Sequence, residues 1–131
     1  EIGYNGGLPI DLGNDGHTPN DSGDVDTGPN ALLNYPVITS ASGNPVVLSG
    51  TACSNCWIAI YRAIGDPSTP GGGGIFIDAV MANSSGNWSA TLPNGIGRND
   101  VTLQTYNDSA HNLSEFSPRR IWRFFLPMIL R

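Results

Sequence analysis

The chain has 131 residues, 39% of them hydrophobic, which is enough for a single domain with one sizeable core. The sequence has eleven acidic residues, six arginines and no lysine. The resulting net charge of −5 argues against nucleic acid or an anionic membrane as a partner. No apolar run reaches the roughly 18 residues of a membrane span. The N-terminus lacks the basic and apolar blocks of a signal peptide. We nevertheless expect an exported protein, in which Glu1 follows a cleavage that the sequence does not show.

Residues 1–34 form an N-terminal extension rich in Gly, Asn and Asp. Its most polar part is DLGNDGHTPNDSGDVDTGPN, residues 11–30, which holds five aspartates. Calcium takes six to eight oxygen ligands and favours loops dense in such residues, so the run predicts a calcium site. The candidate ligands are Asp11, Asn14, Asp15, Asp21, Asp24 and Asp26. The terminal Glu of an EF-hand and its flanking helices are absent, which excludes that motif.

Two other interpretations of the run remain open. Asp-Gly, Asn-Asp and Gly-Pro are ordinary turn formers, and a polar segment of this kind can also be a flexible linker. Repulsion among five carboxylates within sixteen residues disfavours a compact loop unless a cation lies among them. We therefore expect chelation to lower the melting temperature.

Residues 35–131 alternate short apolar runs with turn clusters, which is typical of strands. Strands are predicted at residues 36–41, 46–52, 56–63, 74–82, 87–92 and 101–107, and a seventh from about Ser114 to Arg120. Seven such strands predict an all-β fold, an immunoglobulin-like antiparallel β-sandwich. The stretch CWIAIYRA lacks clean alternation, so we expect its strand to be central and buried on both faces.

Cys53 and Cys56 form a C-x-x-C motif before a predicted strand. A redox-active pair would instead precede a helix, and zinc would need two more ligands, for which only His17 and His111 are available. In an oxidising compartment this pattern predicts a disulfide across the turn.

Catalytic patterns are missing from the sequence. His111 lies in a turn cluster without a G-x-S-x-G elbow, and the four glycines at 71–74 lack the lysine of a phosphate loop. The acids outside the Asp-rich run are too scattered for a glycosidase pair. We expect no enzyme. Tryptophans can stack on sugars, but Trp57 and Trp88 lie in strand patterns where a core tryptophan is expected.

The C-terminal segment is apolar and longer than the last strand of a sandwich needs. Its candidate assembly residues are Ile121, Trp122, Phe124, Phe125, Leu126, Met128, Ile129 and Leu130. The segment either folds back over the Asp-rich run, adds as a strand to a neighbouring copy, or serves as a sorting signal. We favour addition to a neighbouring copy, by this segment or by the N-terminal stretch GGLPIDLG, because head-to-tail contacts of this kind build filaments.

A family resemblance supports an extracellular setting. The segment YNGGLPIDLGNDGHTPNDSGDVDTGPNALLNYPVITSA resembles the last rung and exit segment of bacterial secreted right-handed parallel β-helix repeat proteins. Residues 46–117 resemble the immunoglobulin-like module that follows it in that family, through GTAC-x-x-C, the Gly-rich hairpin, SSGNWSATLP and YNDSAHNLSEFS. The resemblance implies an architectural module without catalytic residues.

The β-helix itself is missing, because at most one rung, residues 1–12, precedes the Asp-rich run. We expect either the released end of a longer precursor or another cover for the N-terminal strand. The predicted function is a secreted or cell-surface structural protein that binds copies of itself. The alternative is a monomeric adhesion or carbohydrate-binding module that recognises surface glycans.

Overall fold

The computed structural model describes residues 8–65 and 72–119. Regular structure in these ranges consists of strands and three single 3₁₀ turns. The strands are β1 (Val37–Ser42), β2 (Val47–Thr51), β3 (Trp57–Ala63), β4 (Gly74–Met81), β5 (Asn87–Thr91), β6 (Val101–Asn107) and β7 (Asn112–Leu113). The turns lie at Ser22–Asp24, Pro29–Leu32 and Arg98–Asp100. Within the described ranges, no helix has the length and apolar character needed to cross a bilayer.

The strands form two antiparallel sheets. One sheet has the order β1-β2-β5 and the other has the order β4-β3-β6-β7. This confirms the predicted all-β sandwich. Each of the first six strands begins and ends within one residue of its predicted bounds, because clusters of turn residues separate the apolar runs.

The core lies between the two sheets and contains Leu48, Ile58, Ile60 and Leu103. Trp88 of β5 also faces inward and is 4% exposed. It packs over Gly50 of β2, its partner in register. A Cβ at Gly50 would collide with Val37 O of β1 and would lie only 2.7 Å from Cζ2 of the indole, so the close packing around β2 requires glycine there.

Strand β3 is central, as predicted, but it is not buried on both faces. Ile58 and Ile60 are fully buried, whereas Trp57 on the opposite face is 38% exposed. The three-stranded sheet covers only the inner face of β3. The prediction of two buried faces is therefore wrong, and Trp88 rather than Trp57 is the core tryptophan.

The seventh strand is much shorter than predicted and lies earlier in the chain. Regular pairing with β6 is limited to Asn112–Leu113. Beyond it, Ser114 N donates to Thr105 O (2.9 Å) and Thr105 N donates to the Ser114 hydroxyl (2.8 Å). Ser117 forms the same pair of bonds with Leu103. Serine hydroxyls thus replace backbone carbonyls along residues 114–117, which interrupts the regular ladder.

The predicted assembly residues lie outside the described ranges. They are Ile121, Trp122, Phe124, Phe125, Leu126, Met128, Ile129 and Leu130.

Candidate metal centre

A buried carboxylate fixes the start of the Asp-rich run against the sandwich. Glu115, 2% exposed, accepts hydrogen bonds from Leu12 N at Oε2 and from Thr18 N at Oε1, both at 2.7 Å. His17 Nε2 donates to Phe116 O at 3.0 Å, since a carbonyl can only accept. Backbone N–H groups therefore compensate the buried charge of Glu115. The segment from residue 12 to 18 is docked on residues 115–116.

Two asparagine side chains anchor the next part of the extension. Asn20 Nδ2 donates to Tyr35 O at 2.8 Å, and Tyr35 N donates to Asn20 Oδ1 at 2.9 Å. Asn34 Nδ2 donates to Asp21 O at 2.7 Å, and Asp21 N donates to Asn34 Oδ1 at 3.1 Å. Each side-chain amide acts as both donor and acceptor, like a backbone peptide in a ladder. The bonds bring residues 20–21 and 34–35 together and close the loop between them.

Two turns with the same hydrogen-bond pattern lie ten residues apart. Asp11 accepts bonds from Asp15 N and Gly16 N, both at 3.1 Å, using one carboxylate oxygen for each. Asp21 accepts from Val25 N at 2.8 Å and from Asp26 N at 3.1 Å, but both bonds go to Oδ2. The second turn therefore leaves Oδ1 of Asp21 available for another partner.

Asp21 belongs to a cluster of three carboxylates. One oxygen each from Asp21, Asp24 and Asp26 lies within 4.8 Å of the others. The turn at Gly23 (φ +74°) and Asp24 (φ +52°) bends the chain back so that the side chains converge. Oδ1 of all three residues is buried and has no hydrogen-bond partner. Such oxygens are costly to bury without a partner.

The surroundings of Asp24 in the cluster raise its pKa. Burial raises the pKa of Asp24 above its ordinary value of 3.8, and the charges of Asp21 and Asp26 raise it further. A backbone hydrogen bond from Asn34 opposes these effects and lowers the pKa in part. The cluster is thus a place where an added positive charge, either a proton or a cation, is favoured.

The structure divides the six predicted metal ligands into two groups. Asp21, Asp24 and Asp26 converge in the second turn. Asp11, Asn14 and Asp15 lie in the first turn, where Asp11 is occupied by backbone donors and Asp15 is exposed. Glu115 was not predicted to have any role. Its only sequence signal is that it is the single acidic residue in the closing stretch 113–119.

The predicted disulfide is confirmed. Cys53 and Cys56 are bonded across the turn between β2 and β3, with a Cα–Cα distance of 5.5 Å. Cys53 lines a surface cleft together with Asp24 and Asn34. The Asp-rich loop therefore lies beside the disulfide turn of the sandwich.

No protein-family model matches this chain, and no curated protein shows significant sequence similarity to it. The resemblance to parallel β-helix repeat proteins stays a prediction.

Proposed function

We propose that this protein is a structural module of an extracellular or cell-surface assembly, in which Ca²⁺ held by Asp21, Asp24 and Asp26 stiffens the junction between the N-terminal extension and the β-sandwich. The observation that carries this proposal is the convergence of three carboxylates, each of which has a buried oxygen that lacks a hydrogen-bond partner. In this proposal the chain associates with copies of itself through its terminal apolar segments.

The chemistry of the cluster suits a hard cation. Calcium prefers carboxylate and carbonyl oxygens, and water completes its coordination sphere where the protein supplies too few ligands. Oδ2 of Asp21 is engaged by Val25 N and Asp26 N, so Asp21 offers one oxygen to the cation. A site with three carboxylates, none of them fully buried, suits the weaker end of the calcium range, a Kd on the order of 10⁻⁴ M.

The position of the cluster supports a mechanical role for the cation. Asp21 is bracketed by the paired asparagines, because Asn34 bonds its backbone and Asn20 is its direct neighbour. Glu115 holds the preceding segment on the sandwich. A cation in the second turn would neutralise the repulsion that otherwise opposes this docked arrangement.

Thermal unfolding with and without calcium tests the metal site. At a calcium concentration of 100 times Kd, we expect stabilisation by about 2.7 kcal/mol relative to the chelated protein. Asp26→Asn should abolish this gain. The matched control Asp15→Asn removes the same charge from the first turn, outside the cluster, and should keep the gain. Equal melting temperatures with calcium and with chelator would contradict the site.

The wider assignment draws on several observations. The disulfide suits an oxidising compartment. The division into sheets of three and four strands supports an immunoglobulin-like arrangement. The apolar sequence of residues 121–130 supports the proposed self-association. Deleting residues 121–131 should reduce the assembled mass measured by light scattering, and an unchanged mass would exclude this segment as the donor.

A monomeric carbohydrate-binding module is the alternative function. It is favoured by one observation, the exposed indole of Trp57 on the outer face of the four-stranded sheet. A glycan array that gives signals with the wild type but not with Trp57→Ala would support it. The absence of any signal would leave the structural role as the better explanation.

A further inference from the structure

The edge strands of the two sheets differ in what they expose. In β5, the side chains that face outward are Asn87, Ser89 and Thr91, all polar. Strand β1 carries an irregularity in pairing between Ile38 and Ser40. Such polar or irregular edges discourage pairing with another chain.

The two edges of the four-stranded sheet also differ. On the β7 side, the chain continues as residues 114–117, and Glu115 holds the N-terminal segment there. Gln104 and Thr102 of β6, on the outer face of the sheet, are consequently buried. At the opposite edge, no strand among the described residues pairs with the outer side of β4.

An apolar stripe lies on the outer face beside the open edge of β4. It consists of Trp57, Phe76 and Met81, which are 38%, 57% and 51% exposed. Trp57 and Met81 are partners in register across β3 and β4. Phe76 packs edge to face on Tyr61, with ring centroids 5.8 Å apart. The paired residues Ala59 and Ala79 lie between these two pairs. Exposed apolar side chains grouped on one face of a sheet mark interaction surfaces.

Strand β4 has few of the features that protect an edge. It contains no lysine, arginine or proline, and its single charged residue is Asp78. The carboxylate of Asp78 accepts a hydrogen bond from the adjacent Ala79 N at 2.8 Å. The pairing of β4 with β3 has one register shift, opposite Ile60 and Tyr61, so β4 shares this irregularity with β1 and differs from β1 in the exposed apolar side chains of the stripe. An edge of this length with apolar neighbours is suited to accept an added strand.

We propose that the edge of β4 and the apolar stripe form the acceptor for residues 120–131 of a second copy of this chain. This inference rests on the proposed self-association and names its receiving surface. The donor sequence, RIWRFFLPMILR, offers apolar side chains to cover the stripe. Its charged residues are all arginines, whereas the only charge on β4 is the carboxylate of Asp78.

The position of Arg119 favours a donor from a neighbour over one from the same chain. Ser117 N bonds to Leu103 O, so the chain leaves the sheet beside β6. Arg119 lines a cleft with Arg62, Ala63 and Asp100, at the end of the sheet where β3 ends. Strand β4 lies on the far side of β3, so a segment of the same chain would have to pass the ends of β3 and β4 to reach the outer edge, whereas a neighbour's segment can approach that edge directly.

Mixing two full-length variants tests this acceptor. Phe76→Lys places a charge on the acceptor surface, and Phe124→Asp places one on the donor. We expect the wild type to form species larger than its chain mass of 13.8 kDa in analytical ultracentrifugation, and each variant alone to sediment as a single chain. Their equimolar mixture should give a complex of two chains, because one partner keeps the donor and the other keeps the acceptor.

The controls separate this inference from the proposed self-association. Thr91→Lys adds the same charge to the polar edge of β5 and should assemble like the wild type. If Phe76→Lys lowers the melting temperature strongly, Met81→Lys replaces it. Normal assembly of Phe124→Asp would refute the C-terminal donor, and with it this inference, but not self-association itself. No assembly by the wild type would refute the proposed self-association. Two other results would overturn the acceptor alone. In the first, Phe124→Asp loses assembly while both acceptor variants assemble normally. In the second, the equimolar mixture contains only single chains.

Discussion

Replacing Glu115 by glutamine tests how the N-terminal extension is held. The carboxylate accepts two 2.7 Å bonds, from Leu12 N and Thr18 N, at a site that is 2% exposed. Glutamine supplies one oxygen, so its NH₂ group must face one of these two donors. A hydrogen bond to a charged group contributes about 1.5–3 kcal/mol, and a neutral one contributes about half as much. Losing one bond and weakening the other should therefore cost about 3 kcal/mol, or about 10 °C in Tm.

The effect of Glu115→Gln should also be local. Hydrogen exchange of the amides of Leu12 and Thr18 should accelerate more than that of Ile60 in the central strand, because only the first two lose their acceptor. Asp108→Asn removes a carboxylate from an exposed turn and serves as the control. A Glu115→Gln protein within about 0.5 kcal/mol of the wild type, with unchanged exchange at both amides, would refute the role of Glu115 as an anchor.

Three further predictions concern the metal turn, the disulfide and the core. Folded Asp24 binds its proton more tightly than the unfolded chain does, so its contribution to stability is present below pH 3.8 and is lost as pH rises through the raised pKa. In the presence of a chelator, Asp24→Asn should therefore be more stable than the wild type at pH 7 and should lose that advantage toward pH 4. Urea unfolding measures both stabilities, and a stability difference that does not depend on pH would contradict this prediction. Replacing Cys53 and Cys56 by alanine should cost about 2 kcal/mol, because the disulfide closes a very short loop; complete unfolding would show a larger role. Gly50→Ala should cost at least about 2 kcal/mol through overpacking, whereas Gly97→Ala, whose nearest neighbour is 3.6 Å away, should be nearly neutral in the same assay.

The sandwich could be predicted because its strands carry a local signal. In β5, Trp88 and Ala90 are buried, whereas Asn87, Ser89 and Thr91 are exposed. This alternation is the period of two that a half-buried strand shows. The outer face of β3 could not be predicted in this way. Whether Trp57 is covered depends on where a distant segment packs. Residues 114–117 cover β6, and Phe116 packs on Tyr61 of β3, but Trp57 stays exposed.

The candidate site was predictable in composition but not in geometry. Asp11 and Asp21 accept backbone bonds at the same offsets, and the sequence around them is similarly rich in Asp and Gly. What separates them is that both backbone donors of the second turn reach the same oxygen of Asp21, which leaves Oδ1 of Asp21 without a hydrogen-bond partner. Glu115 was missed for another reason, since it lies 103 residues from Leu12 and no local pattern joins them.

Calorimetric titration of Ca²⁺ into the chelator-treated, full-length protein tests the metal site most directly. We expect one site per chain with a Kd on the order of 10⁻⁴ M. Binding should be lost in Asp26→Asn and retained in Asp15→Asn. No binding heat in the wild type, or equal binding by the two variants, would contradict a calcium site at Asp21, Asp24 and Asp26.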